Sequence, residues 1–280
     1  MATLIQSLQF LLAQKDAGLA NETKRILLKE YLQTYTLDFL YNHPLYQKLN
    51  FYGGTCLHIV YGLNRLSEDL DLDNSAGIDF HPLEEDLLKY FQVSVGYPAV
   101  TVKSQVGEWG IQRITLKFPI LYELRLSSHV DEALHLKVEI SQHRQISVLR
   151  RTPILAHGRS FVLEHFSLET MMAGKMLACL ERNFQVGNRG IEIKGRDFYD
   201  LLWFMHQKTR PLEEKLAKEG TKPYTVKSAF EELTEKVGRI RRSDLAADLL
   251  PLFEQRSFIE AWLDGFQENF ALLAADYMKE

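Results

Sequence analysis

The sequence predicts an α+β half followed by an all-helical half, and three patterns carry that prediction. From about residue 48 to 140, short runs rich in β-branched and aromatic residues alternate with turn signals, as strands do. Ahead of them lie two stretches whose apolar residues recur at three and four. Beyond about residue 165 that helical spacing returns and holds to the end.

Taken in order, residues 4–15 and 22–43 read as helices. In the second, Leu28, Tyr31, Leu32, Tyr35 and Phe39 form an apolar stripe that faces a core, with Asn21 as its N-cap. The pattern stops at His43-Pro44, because a residue before proline is pushed out of helical geometry. A strand then runs into Gly53-Gly54, a helix covers 55–63, and Asp69–Asp73 alternates acid with leucine as a second strand. A helix over 82–91 and strands over 99–106, 111–118, 120–126 and 134–140 follow. Ser167 opens a helix as N-cap, and amphipathic stretches over 224–237 and 256–278 complete the helical half. The division expected is 1–47 as N-terminal helices on the core, 48–150 as the core, and 151–280 as a mainly helical domain.

Composition narrows the class. The chain is 46% hydrophobic and 25% charged, the balance of a soluble globular protein. No apolar run reaches the length of about 18 residues that a membrane span needs. The first residues lack a basic start and a small-residue cleavage site, so a cytoplasmic protein is expected. Cys56 and Cys179 are too few and too distant for a zinc site or a disulfide framework. The nine histidines form no ligand pair. A net charge of −4 means that any nucleic-acid surface must be local. Two basic clusters qualify, Arg144 with Arg150, Arg151 and Arg159, and Lys236 with Arg239, Arg241 and Arg242.

The chemistry concentrates at Phe51-Tyr-Gly-Gly-Thr-Cys-Leu and Arg65-Leu-Ser-Glu-Asp-Leu-Asp-Leu-Asp73. Residues two apart in a strand project to one side, so Asp69 and Asp71 stand side by side. Two adjacent carboxylates repel unless a cation lies between them, and such oxygen ligands suit Mg²⁺ or Mn²⁺. Gly53 and Gly54 let the backbone approach a phosphate closely at a helix N-terminus. Together these read as metal-dependent phosphoryl or nucleotidyl transfer. Asp73 shares the face but precedes Asn74-Ser75, where a turn carboxylate is expected. A third acid, Glu139 in Leu136-Lys-Val-Glu-Ile140, alternates with core residues on a predicted strand.

Gly-Gly-Thr followed by Arg-x-Ser-x-Asp-x-Asp-Leu resembles the first motif of the AbiEii-type nucleotidyltransferases. These are abortive-infection and toxin–antitoxin proteins of the polymerase-β-like superfamily. Ser167 to Arg182, with Lys175 two turns in, and Arg196-Asp-x-x-Asp-Leu201 are similar to later motifs of that family. The resemblance spans roughly residues 50–205. It implies a polymerase-β-like core, a mixed sheet with flanking helices, plus an α-helical C-terminal domain. It implies that an NTP binds through Gly53, Gly54, Thr55, Ser67, Lys175, Asp197 and Asp200, with Asp69, Asp71 and Glu139 on Mg²⁺ or Mn²⁺. Catalysis is assigned to Asp69, Asp71, Glu139 and Lys175. Many relatives carry Asp at the position of Glu139, whose extra methylene leaves its role open between metal ligand and base. The resemblance further implies a toxin of a toxin–antitoxin or phage-defence pair, with a separately encoded antitoxin. Some relatives act on the acceptor end of tRNA, so RNA is the acceptor expected here. A protein or small-molecule acceptor, and a non-catalytic nucleotide-binding role, stay open at this point.

Overall fold

The structure, a computed structural model, describes residues 3–107, 110–142, 144–182, 184–186 and 189–279. Two compact units form, one of residues 1–145 with 149–165, the other of 146–148 with 166–280. The expected division at residue 150 therefore falls inside a strand, and the N-terminal helices belong to the same unit as the sheet.

In the first unit, helices α1 (Leu4–Ala13) and α2 (Asn21–Asn42) precede β1 (Asn50–Tyr52), α3 (Gly53–Tyr61), β2 (Asp69–Asp73) and α4 (Leu83–Lys89). Strands β3 (Thr101–Val106), β4 (Gln112–Phe118), β5 (Leu134–Ser141), β6 (Leu149–Ala156) and β7 (Arg159–Phe166) follow. They make one seven-stranded mixed sheet in the order β3-β4-β5-β2-β1-β7-β6. Strand β2 runs antiparallel to β1 and parallel to β5, while β4 is antiparallel to both β3 and β5. Alternation decides the faces. Leu70, Leu72, Leu116, Phe118, Leu136, Val138 and Ile140 are fully buried, while the intervening polar residues of β2, β4 and β5 line the other face. Each such core side chain contributes about 1.5–3 kcal/mol through burial. Phe91 meets Phe118 edge-to-face at 5.0 Å on that apolar side, and Leu136→Asp would put a charge into it.

Three sequence expectations are corrected here. Helix α2 starts at Asn21 itself, with Ala20 as cap, because the Lys24 N–H already bonds the Ala20 carbonyl. Helix α3 opens on the two glycines rather than at residue 55 and closes at Gly62. There φ is +76°, with the paired Gly62 N–H to His58 O and Leu63 N–H to Leu57 O bonds of a left-handed helix stop. Residues 120–126 form turns, not a strand. Ile120, Leu121 and Leu124 are buried at helix-like spacing, and the Leu124 N–H bonds back to Ile120 O.

The second unit comprises α5 (Leu168–Glu181), a β8–β9 hairpin (Phe184–Val186 and Arg189–Glu192), α6 (Gly195–His206) and α7 (Glu213–Glu219). It ends with α8 (Val226–Gly238), α9 (Arg242–Leu249) and α10 (Arg256–Met278). Ser167 caps α5 by accepting the Thr170 N–H at 3.3 Å. Its core is aromatic, with Tyr199 against Phe253 and Trp262, and Phe266 against Phe198 and Phe270. Cys56 and Cys179 are buried free thiols. Among the described residues no helix is long and apolar enough to cross a membrane.

Candidate active site

Strand register brings the three candidate acids onto one face. Asp71 of β2 lies opposite Glu139 of β5, Asp69 opposite Lys137, and Asp71 opposite Tyr52 of β1. Leucines and a valine on the reverse face pin the strands, so the acids can stand nowhere else. Asp69 and Glu139 keep 30% and 21% of their side-chain surface exposed, open enough to receive a ligand. Burial raises the Asp69 pKa; Lys137 opposes that and the neighbouring Glu68 and Glu139 add to it. Burial and the nearby Asp71 and Asp73 likewise push Tyr52 well above the ordinary phenol range. The acids are crowded, and their surroundings favour added positive charge.

Two basic side chains that sequence reasoning missed answer part of that demand. Arg113 of β4 is the cross-strand neighbour of Glu139, and its Nε donates to Oε1 at 2.6 Å. Lys137 Nζ lies 3.9 Å from Asp69 Oδ1. Alternation along Gln112–Phe118 marks Arg113 as outward-facing, but nothing in the sequence tells which β5 residue it meets.

The glycines are explained by what stands behind them. Gly53 has φ +81°, and a Cβ there would collide with the Asp71 carboxylate. A Cβ on Gly54 would come within 2.7 Å of the Arg65 guanidinium and 2.9 Å of Ser67 Oγ. The motif is thus one packed object, with the α3 N-terminus pressed against the acidic strand. Tyr52 caps α3 without a side-chain bond, and no acid occupies the first turn. Its leading N–H groups, which by geometry have no intrahelical acceptor, suit an anion. Thr55 is fully buried and its hydroxyl donates to the Asp69 carbonyl, so only its backbone could address a nucleotide. Arg65 is buried with Nη1 on the Leu66 carbonyl, and Ser67 O accepts from Gln33 Nε2 at 3.1 Å. Asp73 ends β2 and ties down the turn that follows, accepting from Asn50 Nδ2 and the Ser75 N–H, both at 3.1 Å.

Within the second unit, Lys175, Asp197 and Asp200 meet. Lys175 Nζ lies 2.6 Å from Asp197 and 2.8 Å from Asp200, and Arg182 Nη1 donates to Asp197 at 2.9 Å. Asp197 and Asp200 stand one turn apart on α6, and Lys175 and Arg182 two turns apart on one side of α5. Burial alone would raise the Asp197 pKa, but Lys175 and then Arg182 hold it well below the usual carboxylate range.

Most members of the basic clusters are engaged inside their own units. Arg151 pairs with Glu164, and Arg159 pairs with Asp38 while stacking on Tyr35 at 4.2 Å. Lys236 donates to the carbonyls of Cys179 and Leu180, the C-terminal end of α5. Arg239, Arg241 and Arg242 pair with Glu235, Asp244 and Asp264.

Among the described residues no three acidic, cysteine or histidine side chains converge into a finished metal cage. The donor set nevertheless fits a hard divalent cation: Asp69, Asp71 and Glu139 are oxygen ligands that share one face in register.

Comparison with known proteins gives the family of the chain. The family model described as "Nucleotidyl transferase AbiEii toxin, Type IV TA system" matches residues 38–280. A solved structure of a candidate nucleotidyltransferase from H. pylori is similar at TM-score 0.51 and 19% identity, covering 90% of this chain and 94% of that one. JHP933 from Helicobacter pylori is similar at TM-score 0.49 and 18% identity over 94% of each chain. An antigenic nucleotidyltransferase-like protein from Paracoccidioides brasiliensis is similar at TM-score 0.40 and 17% identity, covering 84% and 96%. No curated protein matches the chain in sequence.

Proposed function

We propose, for a chain that belongs to the AbiEii nucleotidyl transferase toxin family and is thereby a nucleotidyltransferase, that it moves a nucleoside monophosphate from an NTP to an acceptor hydroxyl. The observation that carries the proposal is the register of Asp71 with Glu139 beside Asp69, at the foot of a glycine-led helix N-terminus. In this reading the N–H groups of Gly53, Gly54 and Thr55 hold the triphosphate, and Ser67 and Arg65 keep that turn closed. Asp69, Asp71 and Glu139 would hold Mg²⁺ or Mn²⁺, which supplies charge neutralisation at the reacting phosphate when bound. In the same reading Glu139 also accepts the proton of the attacking hydroxyl. The bond formed joins the acceptor oxygen to the α-phosphorus, the bond broken is that to the bridging oxygen, and pyrophosphate leaves.

Lys175 is proposed to steady the leaving pyrophosphate, with Asp197 and Asp200 fixing its ammonium rather than touching the nucleotide themselves. The acceptor proposed is RNA, with the tRNA 3′ end the specific case, and the setting a toxin acting in the cytoplasm against which an antitoxin is separately encoded. Incubation of the protein with each α-labelled NTP, Mg²⁺ and total bacterial RNA tests this. Label on RNA that is absent with Asp69→Asn is expected. Label on protein or a metabolite instead would replace the acceptor, and no label with any NTP would overturn the transfer.

A further inference from the structure

The sheet face that carries the acids continues past them as a basic surface. In register, Lys103 of β3 leads through Thr115 and Lys137 to Asp69, and Lys117 of β4 stands beside His135. Lys103 and His135 are exposed, and Lys117, Lys137 and Arg113 are half-exposed. Burial, then Lys117, Lys29 and Lys137, hold His135 below its ordinary pKa. Apart from Asp69, Asp71 and Glu139, the outward positions of β3, β4 and β5 named in the register carry no acid. Of the clusters that the sequence singled out, Arg151, Arg159, Arg239, Arg241 and Arg242 are in ion pairs and Lys236 caps a helix, whereas no acid is paired with Lys103 or Lys117 among the ion pairs of the described residues.

Position along the sheet separates two uses of positive charge. The α3 N-terminus follows β1, on one flank of the acids, while the lysines lie on β3, β4 and β5, on the other. From β3 to β2 is three strand spacings, about 14 Å, too far for one triphosphate to fill both flanks. We infer that the open face of β3, β4 and β5 is the docking surface for a nucleic-acid acceptor strand, which lies across Lys103, Lys117 and Lys137 and brings its terminal hydroxyl to Glu139. This rests on the transfer reading for its purpose, but the binding itself does not need turnover. Lys103 and Lys137 stand in one cross-strand row and Lys117 in the next, one lysine on each of three neighbouring strands, so the phosphates of a polyanion laid across the strands meet several cations on one face.

The test uses the full chain with Lys103→Glu and Lys117→Glu together, both at surface positions away from the core. Binding of a labelled single-stranded oligonucleotide is followed by anisotropy across a salt series, beside binding of a fluorescent NTP analogue. Expected is a loss of oligonucleotide affinity of at least about tenfold, with the slope of log K against log salt shallower by about 0.7 for each lysine that meets a phosphate. NTP binding and the thermal midpoint should stay at the wild-type value. Unchanged oligonucleotide binding, or a wild type that binds none, overturns the surface. Tighter binding of polyglutamate than of the oligonucleotide overturns it in favour of an acidic protein partner. A wild type that binds the oligonucleotide through these lysines but never transfers a nucleotide supports the surface and overturns only the reaction.

Discussion

Two carboxylate clusters in this molecule are built on opposite principles. On the sheet, Asp69 and Glu139 are part-exposed, crowded, and partly answered by Arg113 and Lys137, and the Asp69 pKa is raised. On α6, Asp197 and Asp200 are buried and met by Lys175 and Arg182, and the Asp197 pKa is lowered. The first cluster is stabilised by whatever positive charge arrives; the second already contains its own. Burial and a shifted pKa alone do not make a catalytic carboxylate, and the sign of the shift separates the two cases.

The largest expected effect breaks the second cluster. Asp197→Asn leaves the half-buried Lys175 with one partner fewer and should cost about 3 kcal/mol, read as a lower denaturation midpoint at constant m. A carboxylate held below its unfolded pKa stabilises the fold above that unfolded value, about 3.9, and loses the contribution as pH falls through the folded pKa. The variant's deficit should therefore be full at pH 7 and shrink in acid. A deficit that grows on acidification would refute the assigned sign.

Asp69→Asn should do the reverse to stability while removing the chemistry. Transfer should fall by at least about a hundredfold, since the proposed metal ligand is lost, and the denaturation midpoint in EDTA should hold or rise. A raised carboxylate pKa makes the ionised form a burden above the unfolded value, and the Asn variant's advantage should vanish below it. A midpoint that falls would place Asp69 with the structural carboxylates of the second cluster.

How much of this was legible beforehand follows from which interactions are local. The Asp-Leu-Asp-Leu alternation put Asp69 and Asp71 on one face, and Val138 and Ile140 put Glu139 on the outer face of its own strand. Helical periodicity put Lys175 with Arg182, and Asp197 with Asp200. It could not say that the two pairs meet, because helix–helix contact is set by packing rather than by spacing. For the same reason Arg113, 26 residues before Glu139 in sequence, emerged only from register. The edge pair β6–β7 was unread because Pro153 and the exposed Leu149, Leu155 and Val162 break the expected alternation. Residues 120–126 were misread because a turn with four buried leucine-like side chains has the composition of a strand.

Gly53 and Gly62 offer a smaller and cleaner contrast. Both have positive φ, but a Cβ at Gly62 meets nothing within 4 Å whereas one at Gly53 strikes the Asp71 carboxylate. Gly62→Ala should cost about 1 kcal/mol of stability and leave transfer unchanged. Gly53→Ala should cost about 1–3 kcal/mol and also lower transfer, because Asp71 must move. Equal effects on transfer would mean that the glycine pair serves the turn and not the acids.

The smallest effect tests whether Arg113 competes with a cation for Glu139. The pair is part-exposed, so breaking it is worth at most about 1 kcal/mol. If the guanidinium occupies carboxylate lone pairs that a divalent ion also needs, Arg113→Gln should tighten Mn²⁺ binding by about twofold to fivefold, measured by titration without NTP. If Arg113 chiefly holds Glu139 in its ligating orientation, the same variant should weaken Mn²⁺ binding instead. The 2.6 Å bond from the cross-strand neighbour, made on the face that the acids share, favours competition. On that account Arg113, with Lys137, lowers the negative charge of the face that the acids share, and a divalent cation would displace it from Glu139.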